Sequence, residues 1–151
     1  MAQYTSENLK FLAAEMREAK QTHSPFALLT GAGCSFSAGI PLAPALVTKI
    51  AESYPHCVEN LPAASRGNYG DVMASITPQQ REKMLKPILE KAQINWAHVA
   101  IACMMKVGFI GRALTFNFDP LLAKACGMCG HYPAIYDFGV SPAQTFDHIQ
   151  P

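Results

Sequence analysis

Hydrophobic positions divide the chain into short apolar runs and longer stretches with helical periodicity. Between Ser6 and Lys20 the apolar residues recur three and four positions apart, which predicts an amphipathic helix. Phe26–Thr30 is a short apolar run that follows Ser24-Pro25 and ends at a glycine, which predicts a strand. A second short run, Gly111–Phe116, predicts another strand. The order of these elements is typical of an α/β fold.

Four further stretches have helical patterns, and proline or glycine marks several of their limits. They are Ala43–Tyr54, Thr77–Ala92, Asn95–Lys106 and Asp119 to about Cys126. Thr77 and Asp119 each stand at an N-cap position and are each followed by a proline, a favoured first helical residue. We expect Gly108 to end the third of these helices, and Pro87 to kink or interrupt the second.

The remaining stretches carry weaker patterns. Residues 55–70 hold two prolines, two glycines and several polar residues, which predicts a loop or a mobile connection. Residues 134–138 predict a possible third strand, and Trp96 and the Met104-Met105 pair are expected in the core. Strands that alternate with helices predict a three-layer, Rossmann-like and mostly parallel sheet, with the helical stretch at about 55–95 inserted into the first crossover.

Tiny residues dominate the turn after the first strand. The turn reads Gly31-Ala32-Gly33-Cys34-Ser35-Phe36-Ser37-Ala38-Gly39-Ile40-Pro41. A strand, a glycine turn and a helix in this order place backbone N–H groups where they can hold an anion such as a diphosphate. Gly31 and Gly33 permit a tight turn and a close ligand, and Ser35 can cap the helix turn. A plain strand-to-helix turn that needs glycine only for geometry is the alternative interpretation.

This loop differs from the two common phosphate-binding motifs. No Gly-Lys-Ser/Thr follows it, so it is not a Walker loop, and Phe36 stands where the ordinary Gly-x-Gly-x-x-Gly fingerprint needs glycine. The longer string Gly-Ala-Gly-x-Ser-x-x-Ala-Gly-Ile-Pro instead resembles the nucleotide-binding loop of the SIR2 (sirtuin) superfamily.

A second segment resembles the same superfamily. Thr115-Phe116-Asn117-Phe118-Asp119, followed by Pro120-Leu121, is similar to its Thr-x-Asn-x-Asp-x-Leu segment, in which the Asn lies beside the nicotinamide ribose. From residue types alone, Asn117 and Asp119 are also ordinary turn and cap residues. Ligands in α/β sheets bind at the carboxyl ends of strands, where both segments are expected to fall.

The resemblance implies that the chain binds NAD+ or ADP-ribose without a metal. The amides of Gly31, Ala32 and Gly33 would hold the diphosphate, and Ser35 would bond a phosphate or cap the loop. Asn117, the implied catalytic residue, would orient a ribose hydroxyl or the attacking water, and Asp119 would contact the ribose or cap the helix. The rest of the implied NAD-binding set is Cys34, Gly39, Ile40, Pro41 and Thr115. A helix-start position could lower the pKa of Cys34, although packing is its expected role.

Departures from the classical sirtuin pattern change the expected activity. Leu42-Ala43-Pro44 follows Pro41 where deacylating members have an Asp-Phe-Arg-type triplet, and Phe116 replaces a Gln. The pattern is more similar to the divergent SIR2-like domains of bacterial effector and defence proteins, which resemble NAD glycohydrolases. Hydrolysis of the nicotinamide–ribose bond is therefore expected, with a non-catalytic NAD or ADP-ribose module and a protein deacylase as alternatives.

The family's downstream His-Gly element is missing from the sequence. His131 is followed by Tyr132 and His148 by Ile149, so His148 is only a weak candidate for the general base. We therefore expect residues 1–151 to be the N-terminal portion of a longer NAD-binding domain, an incomplete domain.

Cys126-x-x-Cys129 with His131 could suggest a metal or redox site. One such pair supplies two thiolates, whereas structural zinc takes four ligands, and no convincing fourth ligand is present. The alternative is a helix end with Gly127 and Gly130 as C-cap and turn residues, and no metal is expected.

Composition adds three constraints. A chain of 151 residues can bury one core, and its charged fraction of 15% is below the usual quarter. Part of the surface is therefore expected to be covered by the remainder of a longer chain or by a protein partner. The net charge of +1 gives no support for nucleic-acid or membrane binding. Five cysteines, an odd number, and an N-terminus without signal-peptide features predict a cytoplasmic location.

Overall fold

The structure, a computed structural model, describes residues 5–136. Within this range the chain is a mixed α/β protein with eight α-helices, one 3-10 helix and a two-stranded parallel sheet. The elements are α1 Ser6–Gln21, β1 Phe26–Thr30, α2 Gly33–Phe36, α3 Ala43–Ser53, α4 Pro55–Glu59, the 3-10 helix Ala63–Ser65, α5 Tyr69–Ser75, α6 Pro78–Lys91, α7 Trp96–Lys106, β2 Ile110–Thr115 and α8 Leu121–Met128.

Strands β1 and β2 lie side by side and run parallel. Leu29 lies opposite Leu114 and Thr30 opposite Thr115, so both strands end at the same edge of the sheet. The predicted bounds of β1 are confirmed, and β2 begins and ends one residue before its prediction. The glycine loop after β1 and the Asn117 segment after β2 therefore start as neighbours.

Several predicted helix limits are confirmed. The Thr77 hydroxyl accepts from the Gln80 backbone N–H at 3.2 Å, while the Gln80 side-chain oxygen Oε1 accepts from the Thr77 N–H at 2.8 Å, a complete capping box that includes Pro78. Gly108 follows the C-cap of α7 with a φ of 82°, a conformation that favours glycine. Pro87 lies inside α6, which continues to Lys91 without interruption.

The prediction of a loop at residues 55–70 is wrong. This stretch forms α4, the 3-10 helix and the start of α5. Pro55 lies in the first turn of α4, and the Asn68 side chain caps α5 by accepting from the Asp71 N–H at 3.1 Å. Proline and asparagine here start helices instead of breaking them. Helices therefore follow one another from Pro55 to Lys91.

Three buried clusters hold the helices together, and the smallest, Ala102, Ala125 and Cys126, joins α7 to α8. Two are larger. One is formed by residues of α3 to α6 and the segment between α5 and α6: Ile50, Val58, Val72, Ile76 and Met84. The other joins the end of the glycine loop to α3, α6 and α8 through Ala38, Ile40, Leu46, Ile88 and Leu121. The second cluster matters for function because it fixes the loop after α2 to the helical body.

Four expectations need correction. Trp96 is 86% exposed and is not a core residue, because it is the first residue of α7 and projects from the helix start. Residues 134–136 form no strand, and the rest of the predicted third strand lies outside the described residues. Helix α8 begins at Leu121, two residues later than predicted, and it includes Gly127, which is therefore no C-cap. The positive φ of Gly130 gives that residue the expected turn role.

In the described range no helix has both the length and the apolar character needed to cross a bilayer.

Candidate functional site

The two sequence motifs meet through a single hydrogen bond. The Asn117 side-chain amide, just beyond β2, donates to the Ser35 hydroxyl oxygen at 3.0 Å. Ser35 belongs to α2, just beyond β1, and its side chain is fully buried. The Asn117 N–H donates to the Thr115 hydroxyl at 3.0 Å, which fixes the turn that follows β2. The carboxyl edge of the sheet thus holds Ser35, Thr115 and Asn117 together.

A histidine that the sequence analysis missed completes this network. His98, in the first turn of α7, is 1% exposed, and its Nε2 lies 3.2 Å from the Ser35 hydroxyl oxygen. Its Nδ1 accepts from the Asn95 N–H at 3.3 Å, so Nδ1 carries no proton. In the neutral ring the proton is then on Nε2, which donates to Ser35.

The environment of His98 keeps the ring neutral. Burial lowers the pKa of His98, and the nearby Asp119 carboxylate opposes this to a smaller extent. Ser35 therefore accepts from two donors, the His98 ring and the Asn117 amide. Because both acceptor positions of the hydroxyl are used, the Ser35 hydroxyl proton is left to donate to a further acceptor.

Asn95 ties the start of α7 to the glycine loop. Its side-chain N–H group donates to the Cys34 carbonyl and to the Ser37 hydroxyl, both at 2.8 Å. Its side-chain oxygen accepts from the His98 N–H at 3.0 Å and caps the helix. The signal for this arrangement was in the sequence, since Asn-x-x-His at a helix start has the spacing of a capping box.

Asp119 uses one carboxylate oxygen and leaves the other without a partner. Oδ1 accepts from the N–H of Leu121, the first residue of α8, at 3.1 Å. The N-cap residue of α8 is Pro120, so the prediction of Asp119 as N-cap and Pro120 as first helical residue is one position early. Oδ2 is buried and has no hydrogen-bond partner among the described residues. A buried oxygen of this kind normally has a partner, so Oδ2 is suited to accept from a hydroxyl.

Open space surrounds the first two glycines of the loop. A Cβ built at Gly31 or at Gly33 would have no atom within 4 Å, and neither residue has a positive φ. The protein's own packing and turn geometry therefore do not require glycine at these two positions. The amides of Cys34 and Ser35 donate to Gly31 and Ala32, whereas within the described range those of Ala32 and Gly33 donate to no backbone carbonyl. The loop offers free donors next to an open space.

Two expectations for the loop are wrong. Ser35 makes no cap with its side chain, because its hydroxyl instead accepts from His98 and Asn117. The pKa of Cys34 is raised, not lowered, first by burial and then by the Asp119 carboxylate. Both effects disfavour a thiolate, and Cys34 stays half-buried as a packing residue.

The last residues of the loop, Gly39 to Pro41, anchor it to the rest of the protein. Gly39 has a φ of 93°, a conformation that side chains rarely adopt, and the Ile40 side chain is 2% exposed in the core. Pro41 is half-buried and borders an apolar groove of about 500 Å³ together with Phe36 and Leu42. The side chain of Ile40 can therefore contribute only by anchoring the loop.

The Cys126-x-x-Cys129 segment is not arranged around a metal. Across residues 5–136, no group of three or more His, Cys, Asp or Glu side chains is placed to hold one. The sulfur of Cys129 lies against that of Cys103, at 3.7 Å. His148 falls outside the described residues.

Comparison of the chain with protein-family models, with curated protein sequences and with solved structures found no match.

Proposed function

We propose that this chain is a SIR2-like domain that binds NAD+ and, as part of a longer protein, hydrolyses its nicotinamide–ribose bond. One observation carries the proposal: the hydrogen bond from Asn117 to Ser35 joins the two segments that resemble the superfamily. These segments are 82 positions apart in the sequence, and the proposal requires them to share one pocket.

The chemistry of the site supports a dinucleotide. The amides of Ala32 and Gly33, which have no backbone acceptor in the described range, suit a diphosphate beside the open space at Gly31 and Gly33. The buried Oδ2 of Asp119 suits a ribose hydroxyl, which can donate to it. The remaining Ser35 proton suits a phosphate or carbonyl oxygen.

The proposed reaction is a displacement at the ribose. The bond between the ribose carbon and the nicotinamide nitrogen breaks, and nicotinamide leaves with the electron pair. Water forms the new bond to the same carbon and loses a proton. Asn117 would orient the ribose hydroxyl or the water, since its amide is neutral and is held in place by Ser35.

A second candidate, a module that binds NAD+ or ADP-ribose without turnover, is favoured by the state of His98. Its Nδ1 already accepts from the Asn95 N–H, and the lowered pKa of the ring opposes uptake of a proton. His98 is therefore not available as a general base.

We also propose that β1 and β2 belong to a larger, three-layer parallel sheet in a cytoplasmic protein. Parallel sheets normally have both faces covered, whereas Leu29 is 64% and Leu114 is 49% exposed. Further strands and helices of a longer chain, or a partner, would cover these side chains.

Titration of the 151-residue chain with ADP-ribose, together with an assay of nicotinamide release from NAD+ by the longer protein of which we propose it is a part, tests the proposal. We expect ADP-ribose binding, and release that Asn117→Ala lowers by about 10²–10³-fold, as for loss of a positioned donor. Asn8→Ala, an exposed change in α1, serves as the control and leaves both measurements unchanged.

The outcomes separate the two candidates. Binding with release supports the hydrolase, and binding without release supports the module. A folded chain that binds neither NAD+ nor ADP-ribose contradicts both.

A further inference from the structure

Two thiols from different helices touch at the carboxyl ends of α7 and α8. The sulfur atoms of Cys103 and Cys129 are 3.7 Å apart. A disulfide bond is about 2.05 Å long, so the sulfurs must approach by roughly 1.6 Å, within reach of side-chain rotation. Cys103 lies one turn before the end of α7, and Cys129 is the C-cap residue of α8.

A hydrogen bond from α7 holds the end of α8, and two backbone hydrogen bonds fix the conformation of that end. The Lys106 ammonium group, on α7, donates to the Cys129 carbonyl at 2.7 Å. The Cys129 N–H donates to the Ala125 carbonyl at 3.0 Å, and the His131 N–H donates to the Cys126 carbonyl at 2.9 Å. The contact between the sulfurs is therefore built into the packing of α7 against α8.

The three cysteines in this region differ in access to solvent. Cys103 is exposed and Cys129 is half-buried, whereas Cys126 is 1% exposed and packs with Ala102 and Ala125. An oxidant in solution reaches Cys103 first. Cys129 is then positioned to react with the oxidised Cys103. Cys126 takes no part in this reaction, because its side chain is buried among helix residues.

We propose that Cys103 and Cys129 form a reversible disulfide that cross-links α7 to the end of α8 when the protein meets a peroxide. The Cys103 thiolate attacks hydrogen peroxide, the O–O bond breaks, and a sulfenic acid and water form. The Cys129 sulfur then attacks the Cys103 sulfur, the S–O bond breaks, and a second water leaves. Two thiols are oxidised by two electrons, one peroxide is reduced to two waters, and a dithiol reductant reverses the change.

The pH dependence of the second step follows from the surroundings of Cys129. Its hydrogen bond with the Cys103 thiol raises the pKa of Cys129, burial adds to this, and Lys106 opposes it. Since the thiolate is the reacting form, disulfide formation becomes faster as the pH rises above neutrality.

The cross-link would constrain the chain between residues 103 and 129, which includes β2 and the Asn117 segment. Closing a loop of 26 positions restricts the unfolded chain. We expect the oxidised protein to melt on the order of 5–10 °C higher than the reduced protein.

The experiment treats the 151-residue chain with hydrogen peroxide and analyses it without reduction. The expected result is a monomer lighter by about 2 Da, a cross-linked peptide that contains Cys103 and Cys129, and the higher melting temperature. In the Cys103→Ser variant no cross-link forms. In the Cys129→Ser variant the oxidation of Cys103 stops at the sulfenic acid, which a 1,3-dione traps. Cys57→Ser and Cys126→Ser retain the cross-link and serve as matched controls.

Three results would overturn the proposal. They are a cross-link mapped to Cys126 and Cys129, a disulfide found only between two chains, and oxidation of Cys103 that proceeds to sulfinic acid without a cross-link in the unsubstituted protein. Each is read directly from the peptide masses. None depends on whether the chain binds NAD+.

Discussion

At the level of single residues, the surroundings of Ser35 decide what the site can recognise. Its hydroxyl oxygen accepts from His98 and from Asn117, so its own proton is left without an acceptor among the described residues. Asp119 has the opposite property, a buried oxygen without a donor. The proposed ligand, a ribosyl phosphate, carries both hydroxyl groups and anionic oxygens and would satisfy both residues.

Gly31 offers a direct test of the open space in the loop. We expect Gly31→Ala to leave the melting temperature unchanged, because a Cβ there meets no atom within 4 Å. The same change should weaken ADP-ribose binding roughly tenfold or more, because the methyl group would occupy the space proposed for the diphosphate. Calorimetric titration measures the affinity, and Gly67→Ala, which is equally uncrowded, is the control. Unchanged affinity in Gly31→Ala would show that no ligand approaches this glycine.

The lowered pKa of His98 predicts that the protein becomes less stable at acid pH. Its pKa in the folded protein is below the ordinary value, so the unfolded chain binds the proton more readily and stability falls as the pH drops below about 6.5. Each unit of difference between the folded and unfolded pKa values is equivalent to about 1.4 kcal/mol in the free energy of unfolding. This stability is fully present above a pH of about 6.5 and is lost as the pH falls. We expect His98→Gln to flatten the decline between pH 7 and pH 5 in urea unfolding.

A matched control for this prediction is His56→Gln. The His56 side chain is 92% exposed, so this change removes a histidine without altering the buried core. Equal profiles for His98→Gln and the unsubstituted chain would contradict the assignment of this loss of stability to His98.

At the level of elements, the close approach of Pro25 to β2 fixes how the chain enters β1. A Cβ at Gly111 would meet the Pro25 ring at 2.7 Å, a distance that real Cβ atoms do not show. Glycine is therefore required at this position of β2 by packing and not by backbone conformation. The pairing of β1 with β2, on which the candidate site depends, begins beside this contact.

We expect Gly111→Ala to destabilise the protein by about 1–3 kcal/mol, because the strand or the proline ring must shift. Chemical denaturation measures the change in the free energy of unfolding, and Gly67→Ala again provides the control. A variant as stable as the unsubstituted chain would show that the strand relaxes without cost.

At the level of the whole molecule, burial is unevenly distributed. Helix α1 has no buried residue, whereas Ile50 of α3 and Val72 of α5 are fully buried. The helical body formed by α3 to α6 therefore has the denser core. Local opening is governed by such differences in buried contacts.

Hydrogen exchange should reveal this unevenness. We expect the amides of α1 to exchange at least tenfold faster than those of α3 and α5, because α1 can open without exposing a buried side chain. Mass spectrometry of exchanged peptides measures the rates. Protection of α1 equal to that of α3 would mean that another surface covers α1.

Local sequence signals correctly predicted β1 and most helix limits. These features depend on neighbouring residues: the capping box at Thr77 and the glycine at 108 act within one turn. The errors at Trp96 and at residues 55–70 arose where the same residue types allow two outcomes. Proline can start a helix or break one, and only packing against α3 selects between them.

The sequence by itself determined the two strands and the positions of the glycine loop and of Asn117, because short-range patterns specify strands, caps and turns. Only the tertiary structure decided that Asn117 bonds Ser35, that His98 completes the network, and that Cys129 meets Cys103 and not Cys126. These pairs are separated by 26 or more positions, and no local pattern encodes which distant side chains the packing of strands and helices brings into contact.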